Sequence, residues 1–243
     1  MNIVVSGYGQ IGKRLVNTIG ETSGLSLVGV VDKMANVGVN SFDLLTEKPD
    51  VIIDFSHPTV LPNLLAYATA NSVPCLIATT GFTTEEIQTI KQASKQIPIL
   101  FTYNTSLGIN VMNKVLKELT RVLGDEFDIE IIERHHNQKI DHPSGTAKLL
   151  AGTIVDELDQ GYILNGRQKT GKRGKNEVGI HAVRGGTIPG EHTVMFAGND
   201  EILEIKHQAL SKQIFVNGAL KGAAFLCTQT FGLFNMEDVF KGE

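Results

Sequence analysis

The segment 133–146 contains three of the chain's seven histidines within fourteen residues. These are His135, His136 and His142, and Lys139 lies between them. A histidine that titrates near neutral pH can donate or accept a proton. A lysine in the same cleft can bind a carboxylate or supply a proton. We therefore predict that this segment holds an anionic substrate whose conversion requires a proton, with His135 and Lys139 as the catalytic pair.

The position of this segment in the chain supports a binding site. An apolar run at 129–132, within a predicted strand at 127–133, leads into it, and a helical pattern at 147–158 follows it. Ser144, Gly145 and Thr146 therefore stand at a helix start, where hydroxyls and unpaired backbone N–H groups suit a carboxylate. We predict that the three contact the substrate.

Two other interpretations of the segment are open. Its histidines and Asp141 could ligate a metal ion, although Arg134 and Lys139 would oppose a cation and no ligand pair has a spacing of four on a predicted helix. The segment could also be a polar surface loop without chemistry. The density of functional residue types beside a helix start argues against that.

A nucleotide-binding pattern opens the chain. A short apolar strand at 3–5 runs into Gly7, Gly9 and Gly12 with the spacing G-x-G-x-x-G, and helical spacing of apolar residues follows over 11–19. The first glycine permits a tight turn, the second lets a pyrophosphate approach the backbone, and the third lets helix and strand pack closely. This pattern predicts a dinucleotide site, and the alternative is an ordinary glycine-rich turn.

Asp32 strengthens the dinucleotide interpretation. It ends a second predicted strand, at 25–31, and lies 20 residues after Gly12, where an acidic residue meets the ribose hydroxyls. Alone it would favour NADH by repelling the 2′-phosphate of NADPH. Lys33 is adjacent and could neutralise that phosphate, so the preference between NADPH and NADH stays open.

Strands and helices continue to alternate after this unit. Strands are predicted at 51–53, 75–78 and 99–101, and helices at about 60–71 and 83–96, the latter with a capping box at Thr83 and Glu86. Polar residues follow each strand, at 54–56, 79–81 and 104–106. The carboxyl ends of parallel strands line the ligand crevice of such a sheet, so we expect these residues near the cofactor. Ordinary turn chemistry is the alternative for each.

The second half has a different pattern. A helix is predicted at 108–123, and strands at 178–184, 193–196 and 201–209, of which the last two are joined by a hairpin signal at 198–200. With no helix between them, we expect a largely antiparallel sheet of about four strands, covered by helices on one face. Its open face would then carry apolar residues that suit subunit contact. These residues are Ile180, Val194, Phe196, Leu203 and Ile205.

The overall prediction is an α/β protein of two domains. A Rossmann-like dinucleotide-binding domain would comprise 1–106 and 216–243, because a final helix at about 217–230 suits close packing on its sheet. A substrate-binding and oligomerisation domain would comprise 107–215.

Composition narrows the function. The formal net charge is −4, which argues against nucleic acid as a partner. No apolar run approaches the roughly 20 residues of a membrane span, no signal pattern opens the chain, and Cys75 and Cys227 have the surroundings of buried core thiols, so we predict a cytoplasmic protein. The five basic residues within 167–175 suggest a solvated loop, or else a mobile flap over an anionic ligand.

The segment 133–147 resembles the signature of the dihydrodipicolinate reductases (4-hydroxy-tetrahydrodipicolinate reductases) of bacterial lysine and diaminopimelate synthesis. The likeness spans nearly the whole chain. Other matching stretches are 78–82, 104–110, 184–192, 204–207 and 215–219.

This resemblance implies roles for individual residues. His135 resembles the family's acid/base histidine, Lys139 its proton-donating lysine, and His136, Gly145 and Thr146 its substrate contacts. The residues that resemble its cofactor contacts are Gly7, Tyr8, Gly9, Gln10, Ile11, Gly12, Asp32, Ala78, Thr79, Thr80, Thr102, Tyr103, Asn104 and Thr105, with Lys33 beside Asp32. The family reduces a small cyclic dicarboxylate with NADPH or NADH, and its members are usually homotetramers built through the antiparallel sheets.

The chain departs from the family pattern at several positions. Its glycine loop is one residue shorter than in many members, His142 and Arg134 stand where many have Ala, and Lys33 stands where Arg is frequent. Two alternatives to this function remain. One is a related Rossmann reductase or dehydrogenase acting on an amino acid or its semialdehyde, and the other is a dinucleotide-sensing module without catalysis.

Overall fold

The computed structural model describes residues 1–34, 37–167 and 170–240. They form two compact units. The first comprises Met1–Leu107 and the chain from Gln213 onward, and the second comprises Gly108–Lys212. In chain order the strands and α-helices are β1 (Asn2–Ser6), α1 (Gln10–Glu21), β2 (Ser26–Val31), β3 (Val51–Asp54), α2 (Leu61–Asn71), β4 (Cys75–Ile77), α3 (Thr84–Ala93), β5 (Pro98–Phe101), α4 (Leu107–Leu123), β6 (Asp128–His135), α5 (Gly145–Val155), β7 (Tyr162–Asn165), β8 (Glu177–Arg184), β9 (Glu191–Ala197), β10 (Ile202–Gln208), α6 (Gln213–Leu226), β11 (Gly232–Phe234) and α7 (Met236–Phe240).

The first unit is a parallel sheet of six strands in the order β11-β5-β4-β3-β1-β2. Its strands are short apolar runs because both faces are covered by helices. On one face Val4, Ile52 and Ile77 pack with α2 and α3, and on the other face Ile3 and Ile53 pack with α1 and α6. The predicted Rossmann-like parallel sheet is confirmed.

Strand order fixes where polar residues gather in this unit. Strand β1 pairs with β2 on one side and with β3 on the other, so the strand order reverses at β1, which is the topological switch point of the sheet. All six strands are parallel, so the glycine loop and the polar ends of β2, β3, β4 and β5 lie along the same edge of the sheet. Ligands of open α/β sheets bind at this edge.

The predicted capping box of α3 is confirmed. The Thr83 N–H donates to Glu86 Oε2 at 2.7 Å, and the Glu86 N–H donates to Thr83 Oγ1 at 3.2 Å. Two otherwise unpaired N–H groups at the helix start are thereby satisfied. The helix ends at Ala93, three residues before the predicted end.

The second unit is built on a mixed sheet of five strands in the order β10-β9-β6-β8-β7. The predicted hairpin of β9 and β10 is confirmed, and β9 also pairs antiparallel with β6. Strands β6, β8 and β7 are parallel to one another, so the expectation of a largely antiparallel sheet of about four strands was wrong. The reason is the crossover through α5, which lets strands on either side of it run in the same direction. Strand β7, which has only four residues, was not predicted.

The apolar residues expected on the open face of this sheet lie on its covered face. Ile180, Val194 and Phe196 are buried in the core that β6, β8 and β9 form with α4 and α5. By register, Leu203 and Ile205 point to the same side as Phe196 and Val194. The sequence pattern gave the alternation correctly but not which of the two faces the helices cover.

The open face of this sheet carries ion pairs. Glu191 forms ion pairs with Arg134 at 2.6 Å and with Lys206 at 2.9 Å. The Glu130 carboxylate lies 2.8 Å from His181 Nε2. Half-buried Ile132 and Met195 lie among these groups, and the register places them on this face.

The basic loop after β7 is anchored by its arginines. Arg167 pairs with Glu130 at 3.0 Å and with Glu177 at 2.6 Å, and Arg173 pairs with Asp128 at 2.9 Å and also contacts Glu130. Gln168 and Lys169 lie outside the described residues. The two arginines therefore tie the loop to the second sheet, while Lys172 and Lys175 are exposed, as expected of a solvated loop. The flap over an anionic ligand stays a prediction.

The two cysteines differ. Cys75 is buried in β4, as predicted, whereas Cys227 is exposed, which corrects the prediction of a buried core thiol. Cys227 lies just past the end of α6. No helix in the described ranges is long and apolar enough to cross a membrane.

Candidate active site

Strand β6 brings a carboxylate and a histidine to the end of an apolar row. Successive side chains of a strand point to opposite faces, so Ile129, Ile131, Glu133 and His135 share one side. The two isoleucines are buried in the core under α4 and α5. Glu133 continues that row with 0% of its surface exposed, and His135 is buried beside it.

Four N–H groups converge on the buried Glu133 carboxylate. Arg184 donates to both of its oxygens at 2.8 Å each, the Ser144 N–H donates to Oε1 at 3.0 Å, and His135 Nδ1 lies 2.6 Å from Oε2. Burial alone would raise the pKa of Glu133. The hydrogen bonds from His135, Arg184 and Ser144 outweigh it and lower the pKa of Glu133 to about 2. The carboxylate is therefore ionised at neutral pH.

Ser144 caps the helix that begins the second part of the site. Its Oγ accepts the Ala147 N–H at 3.1 Å and forms a second hydrogen bond with His192 Nε2 at 2.9 Å. Burial first, and then the charge of His135, lower the pKa of His192 to about 3, so this imidazole is neutral at neutral pH. The Ser144 hydroxyl is thus buried and engaged within the protein, while Gly145 is exposed and Thr146 is half-buried at the first turn of α5.

The buried neutral His192 should make stability depend on pH. Its folded-state pKa of about 3 lies below the ordinary value of 6.5, so the unfolded chain binds the proton more strongly. The stabilisation is fully present above pH 6.5 and is lost as the pH falls toward 3. From this group we expect a loss of about 2 kcal/mol in the free energy of unfolding between pH 7 and pH 5. Urea unfolding at the two pH values measures it. In His192→Asn this part of the pH dependence should vanish, and an unchanged slope in that variant would contradict the assignment.

Lys139 lies in the loop between β6 and α5 and is paired there. Its Nζ lies 2.6 Å from Asp141 Oδ1, and its backbone N–H donates to the His136 carbonyl at 3.1 Å, which closes a turn. Partial burial would raise the pKa of Asp141, but the hydrogen bond from Lys139 lowers it below the ordinary value. Arg184, which holds Glu133, also donates to the Asp141 carbonyl at 2.8 Å. One guanidinium therefore ties the Lys139 loop to the carboxylate that holds His135.

Three residues of this cluster received no role from the sequence: Glu133, Arg184 and His192. A signal for Glu133 was available, because a carboxylate two residues before a histidine in a strand points to the same side. Arg184 and His192 reach the site from neighbouring strands β8 and β9, which no local pattern reveals. Among the described residues no group of three or more His, Cys, Asp and Glu side chains is arranged to hold a metal ion.

The glycine loop of the first unit has the shape that a dinucleotide requires. Gly7 has φ +91°, and a Cβ on it would lie 2.6 Å from the Phe55 carbonyl oxygen. A Cβ on Gly12 would lie 1.9 Å from the Gly7 carbonyl oxygen, whereas a Cβ on Gly9 would meet nothing within 4 Å. Gly9 is the N-cap of α1 and has no side-chain cap, so this loop leaves open backbone where a pyrophosphate would approach.

Asp32 connects the glycine loop to the end of β2. Its Oδ2 accepts the Tyr8 N–H at 2.6 Å, and its Oδ1 accepts the Met34 N–H at 2.7 Å. Asp32 therefore shapes the loop as well as standing where ribose hydroxyls are expected. Lys33 next to it is exposed.

The remaining predicted cofactor contacts divide into buried and accessible residues. Thr79 is buried and donates to the Asp54 carboxylate at 2.6 Å, and burial raises the pKa of Asp54. Thr105 donates to the Phe215 carbonyl at 2.8 Å. The buried members are Gly7, Gly12, Thr79, Thr102, Asn104 and Thr105, and the exposed or half-buried ones are Tyr8, Gly9, Gln10, Ile11, Asp32, Lys33, Ala78, Thr80 and Tyr103.

A parallel nucleotide-binding sheet with a glycine loop, together with a histidine–lysine–carboxylate cluster on a second sheet, defines a nucleotide-dependent oxidoreductase of two units. Family models agree with this class along the chain. Residues 1–105 match the model described as dihydrodipicolinate reductase, N-terminus, and residues 108–240 match the model described as dihydrodipicolinate reductase, C-terminus. The chain belongs to the dihydrodipicolinate reductase family, whose members use NADH or NADPH.

Two curated relatives match over nearly their whole lengths. A 4-hydroxy-tetrahydrodipicolinate reductase of Exiguobacterium sibiricum is 47% identical, covering 100% of this chain and 98% of the relative. One of Clostridium novyi is 43% identical, covering 99% and 98%. A solved dipicolinate-bound dihydrodipicolinate reductase from Paenisporosarcina sp. TG-14 has the same fold, with a TM-score of 0.80, 23% identity and 98% of both chains covered.

Proposed function

We propose that this protein reduces the cyclic dicarboxylate 4-hydroxy-tetrahydrodipicolinate, or its dehydrated form, to tetrahydrodipicolinate in lysine and diaminopimelate biosynthesis. The observation that carries the proposal is the coexistence of the glycine loop with the His135–Glu133–Arg184 cluster and Lys139 in one chain. Relatives that match nearly its whole length bear the name of this reductase.

The first unit would hold NADPH or NADH. Gly7 and Gly12 allow close backbone contacts that a Cβ would prevent, Gly9 presents open backbone, and Asp32 stands at the end of β2 for the ribose. When bound, the nicotinamide supplies a hydride to the unsaturated ring of the substrate. Ala78, Thr80 and Tyr103, at the same edge of the sheet, complete the accessible contacts in this proposal.

The second unit would bind the dicarboxylate and supply the proton. His136, Gly145 and Thr146 would receive its carboxylates, the last two at the start of α5, where N–H groups and the helix dipole favour an anion. Ser144 serves by capping that helix, since its hydroxyl is engaged with His192. Lys139 and His135 would supply the proton that balances the added hydride, so the ring gains both while the nicotinamide is oxidised. The 4-hydroxy form first loses its hydroxyl as water, which leaves the unsaturated ring that accepts the hydride.

A coupled assay tests this function. The purified chain is mixed with NADPH and with substrate made in place by the synthase that precedes the reduction, and nucleotide oxidation is followed at 340 nm, the usual wavelength for reduced nicotinamide. We expect steady-state oxidation that depends on both substrates of the synthase. Oxidation of NADPH with a semialdehyde alone, or reduction of NADP+ by an amino acid, would instead support a related dehydrogenase. No oxidation with any of them would support a sensing module.

Cofactor choice should depend on Asp32 and Lys33 in opposite ways. Asp32→Ala removes a ribose hydroxyl acceptor and a charge that repels the 2′-phosphate, so we expect NADH binding to weaken more than NADPH binding. Lys33→Ala should weaken NADPH binding alone. Titration of nucleotide fluorescence with each variant measures both dissociation constants. Because Asp32 also accepts the Tyr8 N–H, we expect its removal to lower the affinity for both nucleotides to some extent. An equal loss of affinity for NADH and NADPH would contradict the ribose contact.

We also propose a cytoplasmic homotetramer that forms through the second sheet. Its open face carries Ile132 and Met195 among the ion pairs of Glu191 and Glu130, a mixture that suits a protein interface. Light scattering at micromolar concentration should give four times the mass of one chain. Met195→Asp, in the middle of this face, should lower that mass, and a monomeric wild-type protein would contradict the proposal.

A further inference from the structure

Glu133 occupies a position at which an apolar residue would fit the fold. It continues the row of Ile129 and Ile131 into the core and has no exposed surface. Burying a charge costs free energy, and a well-packed apolar side chain at the same position is often at least as stabilising as a buried ion pair. Stability alone therefore does not explain a carboxylate at this position, and its hydrogen-bond partners indicate its role.

Its two oxygens have different partners. Oε1 accepts from the Ser144 N–H at 3.0 Å and from Arg184 Nη2 at 2.8 Å, and Oε2 accepts from Arg184 Nη1 at 2.8 Å and faces His135 Nδ1 at 2.6 Å. An ionised carboxylate accepts hydrogen bonds and donates none. The proton between Glu133 and His135 therefore belongs to His135 Nδ1.

In the neutral form of His135, a proton on Nδ1 leaves the other nitrogen, Nε2, without one. A Cβ on Gly190 would lie 3.1 Å from Nε2, so the absence of a side chain at that position keeps this side of the ring uncrowded. His192 packs edge-on against the ring with centroids 5.2 Å apart, but its own Nε2 is engaged with Ser144. Arg184 meanwhile balances the charge of Glu133.

We propose that Glu133, clamped by Arg184 and the Ser144 N–H, is the positioning residue that fixes His135 as the Nδ1–H tautomer and makes Nε2 its proton-exchanging nitrogen. The role of this proton exchange in catalysis rests on the proposed function. The tautomer itself is a property of the substrate-free protein. It can therefore be tested separately.

Glu133→Gln should reverse the tautomer. The amide oxygen should take the Oε1 position, because two donors that always carry protons, Ser144 N–H and Arg184 Nη2, meet there, whereas Oε2 has one such donor, Arg184 Nη1. The amide NH2 group then faces His135 Nδ1 and can be satisfied only if that nitrogen accepts, which places the proton on Nε2. Substitution of the orienting acid of a catalytic triad by its amide produces the same kind of reversal, with about a 10⁴-fold loss of turnover.

Nitrogen-15 NMR of histidine-labelled protein, at a pH where the ring is neutral, distinguishes the two tautomers of His135. We expect Nδ1–H in the wild type and Nε2–H in Glu133→Gln, with turnover lowered about 10²- to 10⁴-fold and NADPH affinity unchanged. Glu130→Gln is the matched control, since Glu130 lies on the same strand, points to the opposite face and pairs with His181. It should leave the His135 tautomer as in the wild type.

Two results would overturn the proposal. One is a wild-type His135 with its proton on Nε2, which requires no variant to fold. The other is Glu133→Gln with the Nδ1–H tautomer retained. If the tautomers are as expected but wild-type protein does not oxidise NADPH with the dicarboxylate, the positioning stands and the proposed function fails. If Glu133→Gln does not fold, Arg184→Met should keep Nδ1–H, because the carboxylate acceptor remains, and Nε2–H in that variant would contradict the assignment.

Discussion

Lys139→Ala is expected to lower the turnover number by about 10²- to 10⁴-fold, the range for loss of a general acid. Its ammonium group is held 2.6 Å from Asp141, in a loop that Arg184 ties to Glu133. Because the glycine loop belongs to the other unit, NADPH affinity should be nearly unchanged. Steady-state kinetics with a nucleotide titration measures both quantities.

Two further lysine variants sharpen this test. Lys139→Arg keeps the positive charge but cannot give up its proton at neutral pH, so turnover should stay low if proton donation is the role. Full recovery in Lys139→Arg would instead assign Lys139 to charge alone. Lys148→Ala removes an exposed lysine of α5 and should behave as the wild type. Full activity of Lys139→Ala would contradict the catalytic assignment.

Gly12→Ala is expected to weaken nucleotide binding by about 100-fold or more, which corresponds to about 3 kcal/mol. The added Cβ would lie 1.9 Å from the Gly7 carbonyl oxygen, which is a backbone atom, and no side-chain rotation can move the Cβ away from it. The loop must move, and with it the N–H groups at the start of α1. Fluorescence titration with NADH and NADPH measures the loss.

The control for this variant lies in the same helix. A Cβ on Gly20 would meet nothing within 4 Å, and the residue is exposed near the end of α1. Gly20→Ala should bind nucleotide as the wild type does and stabilise the helix by about 0.5–1 kcal/mol. Unchanged binding by a folded Gly12→Ala would contradict the role of this loop.

The nucleotide-binding unit could be predicted from local patterns. Continuous apolar strands, the glycine spacing and the capping box at Thr83 and Glu86 are each written within a few residues of sequence, and each is confirmed in the fold. The second sheet was harder, because strand direction depends on the crossover through α5. Which face of that sheet is covered depends on the packing of α4 and α5, so Ile180, Val194 and Phe196 were placed on the wrong side.

The candidate site was predictable where its residues are adjacent in sequence. His135, Lys139 and the start of α5 lie within one segment, and residue type and spacing identified them. Arg184 and His192 come from strands about 50 residues further along the chain, and only the register of β6 with β8 and β9 brings them to Glu133. The buried ion pair is therefore a tertiary feature. The substrate contacts and the cofactor contacts assigned to single residues stay predictions.

Transfer of deuterium from labelled cofactor tests the central claim most directly. The wild-type chain is supplied with NADH or NADPH carrying deuterium on one face of nicotinamide C4, together with substrate made in place, and the product is analysed by mass spectrometry. We predict that tetrahydrodipicolinate gains one deuterium from one of the two labelled faces and none from the other. Product that forms without deuterium from either face, or no product, would contradict the account.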